Sequence, residues 1–139
     1  MPGFSDYMEN AVLDFLFRGV AYTPPATLYI ALSTADPGET GAGLSEPGTP
    51  GATPDALNGY NRVALTTADW TRTLNVVSNS VTVTFPTATA DWGNITHFAI
   101  MDAQSGGNVL MSNVISPAQS VVTGNTLIFD PGAISISLD

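Results

Sequence analysis

Residues 80–102 read SVTVTFPTATADWGNITHFAIMD, and the fold class follows from their pattern. Val81, Val83 and Phe85 alternate with Thr82 and Thr84, the period-2 signature of a strand with one buried face. Pro86 brings no amide donor and stops that ladder. Asp91-Trp92-Gly93 turns the chain, and Ile95 to Met101 follows as a second, more continuously apolar strand. Two strands joined by a turn, with no reacting group between them, predict the centre of a small β-rich domain.

Working outward, the flanks repeat the theme. Leu28, Ile30 and Leu32 line one strand face opposite Tyr29 and Ala31, after an extended Tyr22-Thr23-Pro24-Pro25 approach. Tyr60–Leu65 returns to strand character. Thr66–Trp70 reads as a turn anchored by its indole, and Leu74, Val76 and Val77 as a short edge strand. Gly106-Gly107-Asn108 is a hairpin turn between HFAIMD and VLMSNVI, with Pro117 as an interruption. TLIF at 126–129 is a further short strand. In the closing AISISLD, Ile134, Ile136 and Leu138 face in and Ser135 and Ser137 face out.

Ahead of the strands stands one helix, expected over residues 5–18. Ser5 is its N-cap, Asp6 and Glu9 complement the dipole of its first turn, and Gly19 follows its end. Met8, Val12, Phe15 and Leu16 form its apolar stripe, widened by Leu13 and Phe17. So short a helix is marginal alone and must dock on the sheet or on a neighbouring subunit. The whole chain, 1–139, is expected to form one domain: a two-sheet antiparallel β-sandwich of seven or eight short strands with one N-terminal α-helix. The absence of further helical stretches excludes a doubly wound α/β design.

Residues 34–59 are different material. Of these 26 residues six are Gly and four are Pro, and Leu44 and Leu57 are the only larger aliphatic side chains. Two readings stand, a mobile surface loop or an arm that orders against a neighbour. Neither places the segment against the core. Deleting residues 38–56 is expected to leave the domain folded while weakening attachment.

Composition narrows the function classes. The chain holds 12 acidic residues, three arginines and no lysine, a formal charge of −9. Such a surface repels phosphate backbones, so direct nucleic-acid binding is not expected. With no cysteine there is neither a disulfide framework nor a thiolate metal site. No apolar run approaches the roughly 18 residues of a membrane span, and the acidic N-terminus lacks the positive region of a cleaved signal. The expectation is synthesis in a host cytoplasm, without membrane contact.

Candidate chemistry is sparse. His97, the sole histidine, lies in a strand without ligand spacing and reads as an ordinary sheet or interface residue. Asp69, Asp91 and Asp102 sit at strand ends, where aspartates form turns more often than catalytic pairs. Asp36-Pro37-Gly38-Glu39 has oxygen ligands without the alternating spacing of a calcium loop. GAGLSEPG lacks the lysine and following helix of a phosphate loop. No catalytic residue, cofactor or metal is expected, and what remains is an interaction protein. Its candidate contacts with a subunit or capsid neighbour are Tyr7, Val12, Phe15, Leu16, Leu44, Leu57, Tyr60, Trp70 and Trp92.

Two segments carry a resemblance. YMENAVLDFLFRGVAYTPPATLYIAL at 7–32 and FPTATADWGNITHFAIMDAQSGGNVL at 85–110 are similar to a family of small virion structural proteins of tailed bacteriophages, variously described as head decoration, tail or tail-fibre proteins. Its members carry ENxLLDHLFRG…YTPPxxLYVAL and FPxATADWGxVTHFGIxDAxSGGNLL, with weaker similarity through TLIFDPGAISISLD. Here HFGI reads HFAI, and the segment before Tyr60 is longer and richer in proline. The resemblance implies a non-enzymatic virion protein. Size and strong negative charge favour a capsid decoration or cement protein on the outer head, partnered by the major capsid protein and by itself as a trimer or other homo-oligomer. A tail, baseplate or tail-fibre-associated structural or receptor-binding protein is the alternative.

Overall fold

The computed structural model describes residues 3–138. In chain order it runs β1 (Gly3–Phe4), α1 (Asp6–Phe17), β2 (Thr27–Ser33), β3 (Val63–Thr66), β4 (Trp70–Thr73), β5 (Val76–Asn79), β6 (Val83–Thr84), β7 (Gly93–Met101), β8 (Val109–Val121), β9 (Ile128–Phe129) and β10 (Ser135–Ser137), with a 3₁₀ turn at Thr67–Asp69. Three antiparallel sheets result, ordered β1-β8-β7-β2-β3, β10-β5-β4 and β6-β9.

The strand expected over Ile95–Met101 is the middle strand of the largest sheet, flanked by β2 and β8. Its register with β2 sets Ala99 opposite Ala31 and Phe98 opposite Leu32. The period of two then sorts side chains by face. Leu28, Ile30, Leu32, Leu65, Phe98 and Ile100 meet Trp70, Val83, Phe129 and Ile136 from the two smaller sheets, with Phe85 and Ile134 beside their strands. This is the sandwich core. Phe129 joins its layers, with edge-to-face contacts to Phe85 at 6.2 Å and to Phe98 at 5.7 Å.

The opposite face of the large sheet carries Tyr29, Ala31, Ala99, Met101 and Val109, and Leu44 from the long segment packs on it. Residues 34–59 hold no strand or helix, as a loop should, but they do have a place against the body of the protein. Pro37 is fully buried. Thr34 N donates to Ser45 O and Asp55 N to Tyr60 O, while Asn58 Nδ2 donates to Pro47 O. The expectation that this segment stays off the core is corrected: covering the outer sheet face removes apolar surface from water that would otherwise be exposed.

Four other details depart from the sequence reading. There are ten strands among the described residues, because Gly3–Phe4 pairs with β8 and Trp70–Thr73 is a strand. β5 is the central strand of its sheet, not an edge, since both β4 and β10 pair with it. Val81 lies outside β6 and is exposed, so the first alternation spans less than its pattern suggests. Finally, β8 runs through Pro117. Ile95 pairs with Gln119 while His97 pairs with Val114, and this bulge takes the proline, with its missing N–H, out of the regular ladder.

The hairpin turn at 106–108 forms as expected. Asp102 Oδ1 accepts from Asn108 N at 2.7 Å and Oδ2 from Asn108 Nδ2 at 2.8 Å. Gly107 has φ +75°, and a Cβ there would meet Asp102 Oδ1 and lie 2.7 Å from Ala103 Cβ. Only glycine fits.

Candidate assembly surface

The helix begins where the sequence places its cap. Ser5 is buried, its Oγ accepts from Met8 N at 3.3 Å and donates to Val109 O, and its own N donates to Leu110 O at 2.9 Å. One serine thus caps α1 and ties it to β8. Asp6 N donates to Glu39 O, so the long loop also meets the first turn. At the far end Arg18 and Val20 N both donate to Asp14 O, and Gly19 turns the chain with φ +67°.

No residue of α1 is buried. Met8, Ala11 and Val12 are half-buried, whereas Leu13 is 53%, Phe15 56%, Leu16 63% and Phe17 79% exposed. The stripe expected to dock on the sheet or on a neighbouring subunit is split. Met8 and Val12 turn towards the protein, Phe15 and Leu16 lie open, and Leu13 and Phe17 join Leu16 at the i, i+3, i+4 spacing of one helix face. Tyr7 is also exposed. An exposed apolar cluster on a short helix is unusual for a free monomer surface and typical of a contact site.

Beside the helix the sandwich is open. An apolar pocket of about 490 Å³ lies between the large sheet and the three-stranded sheet, lined by Pro24, Leu28, Trp70, Val77, Met111 and Ile136, with Arg72, Leu74 and Leu138 also in its wall. Met8 lines it as well. Leu74, in the β4–β5 turn, has φ +55° and is exposed, and so is Leu138. Ile134 and Ile136 face inward as expected, but Leu138 lies at the open end of the sandwich. Trp70 is half-buried, and its Nε1 is buried without a hydrogen-bond partner.

The remaining candidate contacts fall elsewhere. Tyr60 and Trp92 are in the core and have no surface to offer a neighbour. Their rings meet edge to face at 5.4 Å, and Trp92 Nε1 donates to Asn58 O at 2.9 Å. Leu44 is half-buried against the outer sheet face, and Leu57 is exposed at the loop tip. The structure thus gathers Tyr7, Val12, Phe15 and Leu16 on one helix with Trp70 in the pocket wall, and separates the others from them.

Sequence reasoning missed the polar cluster that fastens the loop. Arg62 is buried and pairs with Glu46: Nη2 lies 2.7 Å from Oε2, and Nε donates to Oε1 at 2.9 Å. Arg62 Nη1 donates to Ala103 O and Gly106 O in the β7–β8 hairpin. Tyr60 OH donates to Glu46 Oε1 at 2.6 Å and accepts from Leu32 N. Burial, with the Glu46 carboxylate close by, holds the Tyr60 phenol far above its ordinary range. The only available signal was the scarcity of arginine, three in 139 residues.

The acids at strand ends are engaged in local structure. Asp69 Oδ2 accepts from Thr66 N and Oγ1, Asp91 Oδ1 from Thr123 N, and Asp102 closes the hairpin. Asp91 and Asp102 flank the nine-residue β7, which at about 3.3 Å per residue keeps them roughly 30 Å apart. Glycosidic carboxylate pairs stand within about 10 Å. His97 is half-buried, with Nδ1 2.8 Å from Thr96 Oγ1 and Nε2 3.9 Å from Asp36 Oδ1. Among the described residues no three His, Asp or Glu side chains gather as a metal site, and no helix is long and apolar enough to cross a membrane.

Comparison with known families adds one match. The family model described as Podophage GP4 fiber I protein gp80 matches residues 3–137. No curated protein matches the chain.

Proposed function

The chain belongs to the podophage GP4 fiber I protein gp80 family, and from that premise we propose that it is a non-enzymatic structural subunit of a phage fibre or of the tail parts that carry one. The observation behind this reading is the family match across almost the whole chain. A virion structural role follows from the family; fibre attachment is the finer step. The head-decoration reading, with the major capsid protein as partner, draws on size and charge and has no comparable support.

The surface described above suits such a subunit. Fully burying a Leu or Phe side chain contributes about 1.5–3 kcal/mol. Leu13, Leu16 and Phe17 are already partly covered, which leaves roughly 3–6 kcal/mol of gross gain. Association costs consume most of that for a single contact. A symmetric assembly repeats the contact, and the repetition turns weak pairwise affinity into a stable structure.

Immunogold labelling of virions against this chain, with copies counted by quantitative gel, tests the proposal. Label confined to the tail or its fibres, with a low copy number, is the expected result. Label spread over the head with several hundred copies would overturn it in favour of decoration.

A further inference from the structure

The inward face of α1 and the inter-sheet pocket belong to one another within a copy, since Met8 lines the pocket wall. The outward face has no such partner. At 100° per residue, Asp6, Glu9, Leu13, Leu16 and Phe17 fall within about a third of the helix circumference. That face is acidic in the first turn and apolar in the last two. The pocket offers the complementary pattern. Its walls are apolar, and the one cation among them is Arg72, exposed on β4, whose Nη1 donates to Leu74 O at 2.6 Å. Arg18 pairs with Asp14 and Arg62 with Glu46; among the described residues Arg72 has no carboxylate partner.

We propose that the outward face of α1 of one copy seats in the inter-sheet pocket of a second copy, with Leu13, Leu16 and Phe17 as apolar anchors and Glu9 directed at Arg72. The mode is a helix laid in an apolar groove, read by i, i+3, i+4 anchors. The outward face cannot reach the pocket of its own chain, because the opposite side of the same helix already forms part of the wall. Two unlike patches therefore meet, and a contact of this kind can close into a ring. A copy of this chain is the occupant because it supplies both halves of the match: an acidic, apolar-ended helix face and an apolar pocket with a single arginine. A groove and three anchors bury less than the roughly 1,200 Å² of a standard stable interface, so the contact is weak in dilute solution.

The inference rests on the structural-subunit reading, but its test is separate: labelling off the virion defeats that reading, whereas sedimentation alone decides this one. The full chain is compared with a face variant, Leu16→Asp with Phe17→Asp, and a pocket variant, Leu74→Asp with Leu138→Asp, by sedimentation velocity from about 10 μM to about 1 mM, the range suited to so small an interface. All four positions are exposed, and unchanged Tm values confirm folding. Should an aspartate pair unfold the chain, serine pairs at the same positions are measured in the same way. The wild type is expected to gain mass with concentration. Each variant alone is expected to stay monomeric, and an equimolar mixture of the two to regain dimer, because one intact face and one intact pocket remain. A wild type that is monomeric at the highest concentration overturns the proposal and leaves the pocket to a different occupant. So does a pocket variant that still associates while the face variant does not, which would mean that like faces meet, and so does a mixture without recovery.

Discussion

Replacing Glu46 by Ala tests whether the proline-rich loop holds the fold together. The side chain of Arg62 is 2% exposed and that of Glu46 12%, so solvent screens the pair little. Removing Glu46 leaves a buried guanidinium without its counter-charge and the Tyr60 hydroxyl without its acceptor. Breaking a buried ion pair from one side costs about 3–5 kcal/mol, and the lost Tyr60 bond overlaps with that figure rather than adding to it. For a chain of this length, about 4 kcal/mol corresponds to a fall in Tm of roughly 15 °C. Thermal unfolding by circular dichroism, with urea titration for the free energy, measures it. Adding Arg62→Met should restore part of the loss, since the stranded charge is gone, though Ala103 O and Gly106 O then lack their donor. A coupling energy above about 2 kcal/mol in the double-mutant cycle is expected. A Glu46→Ala loss below about 1 kcal/mol would refute the reasoning, because it would mean that the loop does not hold the carboxylate at Arg62.

Three further outcomes follow from the same geometry. Ser5→Ala removes both the cap of α1 and the tether to Val109 O, and is expected to lower stability by about 1–2 kcal/mol, read as a shifted urea midpoint. Backbone N–H groups of Thr49 and Leu57 hold the Asp55 carboxyl below the usual carboxylate range; because its folded pKa is depressed, its contribution is complete above about pH 4 and disappears as pH falls through the folded value. Asp55→Asn should therefore flatten the dependence of Tm on pH below about pH 4, and an unchanged acid slope would refute that assignment. Deletion of residues 38–56 removes Glu46 and Leu44 together, so the truncated chain is expected to lose cooperative unfolding, against the expectation from sequence that it stays folded; retention of a wild-type Tm would restore the earlier view.

How far the sequence could be read depended on the range of the interactions involved. The strand pattern of β2 and β7, the Ser5 cap, the Gly19 stop and the Gly106-Gly107-Asn108 turn are set by residues within a few positions of one another, and all were legible. Trp70–Thr73 does not announce a strand, because Arg72 and two threonines carry no apolar alternation. Its pairing with β5 supplies what its own sequence lacks. Asn79 reads as a loop residue but is buried; its Nδ2 donates to Val81 O and Asp130 O, and its Oδ1 accepts from Ile134 N, 55 residues away. The Glu46–Arg62 pair spans 16 residues of loop, and nothing local in either neighbourhood announces it. Trp92 and Tyr60 carry an aromatic character that core and interface share, so residue type alone does not separate the two.

The same contrast distinguishes the two faces of the large sheet. On the outer face of the large sheet, Leu44 covers apolar side chains, and Glu46 and Arg62 join the loop to the hairpin. That cover is built within the monomer, although a pocket of about 440 Å³ remains beside Leu44, Arg62 and Met101. On the other side, the three-stranded sheet closes over the core but leaves the end near Leu28, Trp70 and Leu138 open, next to a helix whose residues are nowhere buried. A monomer selected only for its own stability would gain by closing that gap with a larger side chain or by turning Leu16 and Phe17 inward. Leaving both undone exposes apolar surface at two adjacent places, a cost that the proposed contact between copies would recover. On the proposal made above, the open pocket and the uncovered helix are two halves of one contact between copies.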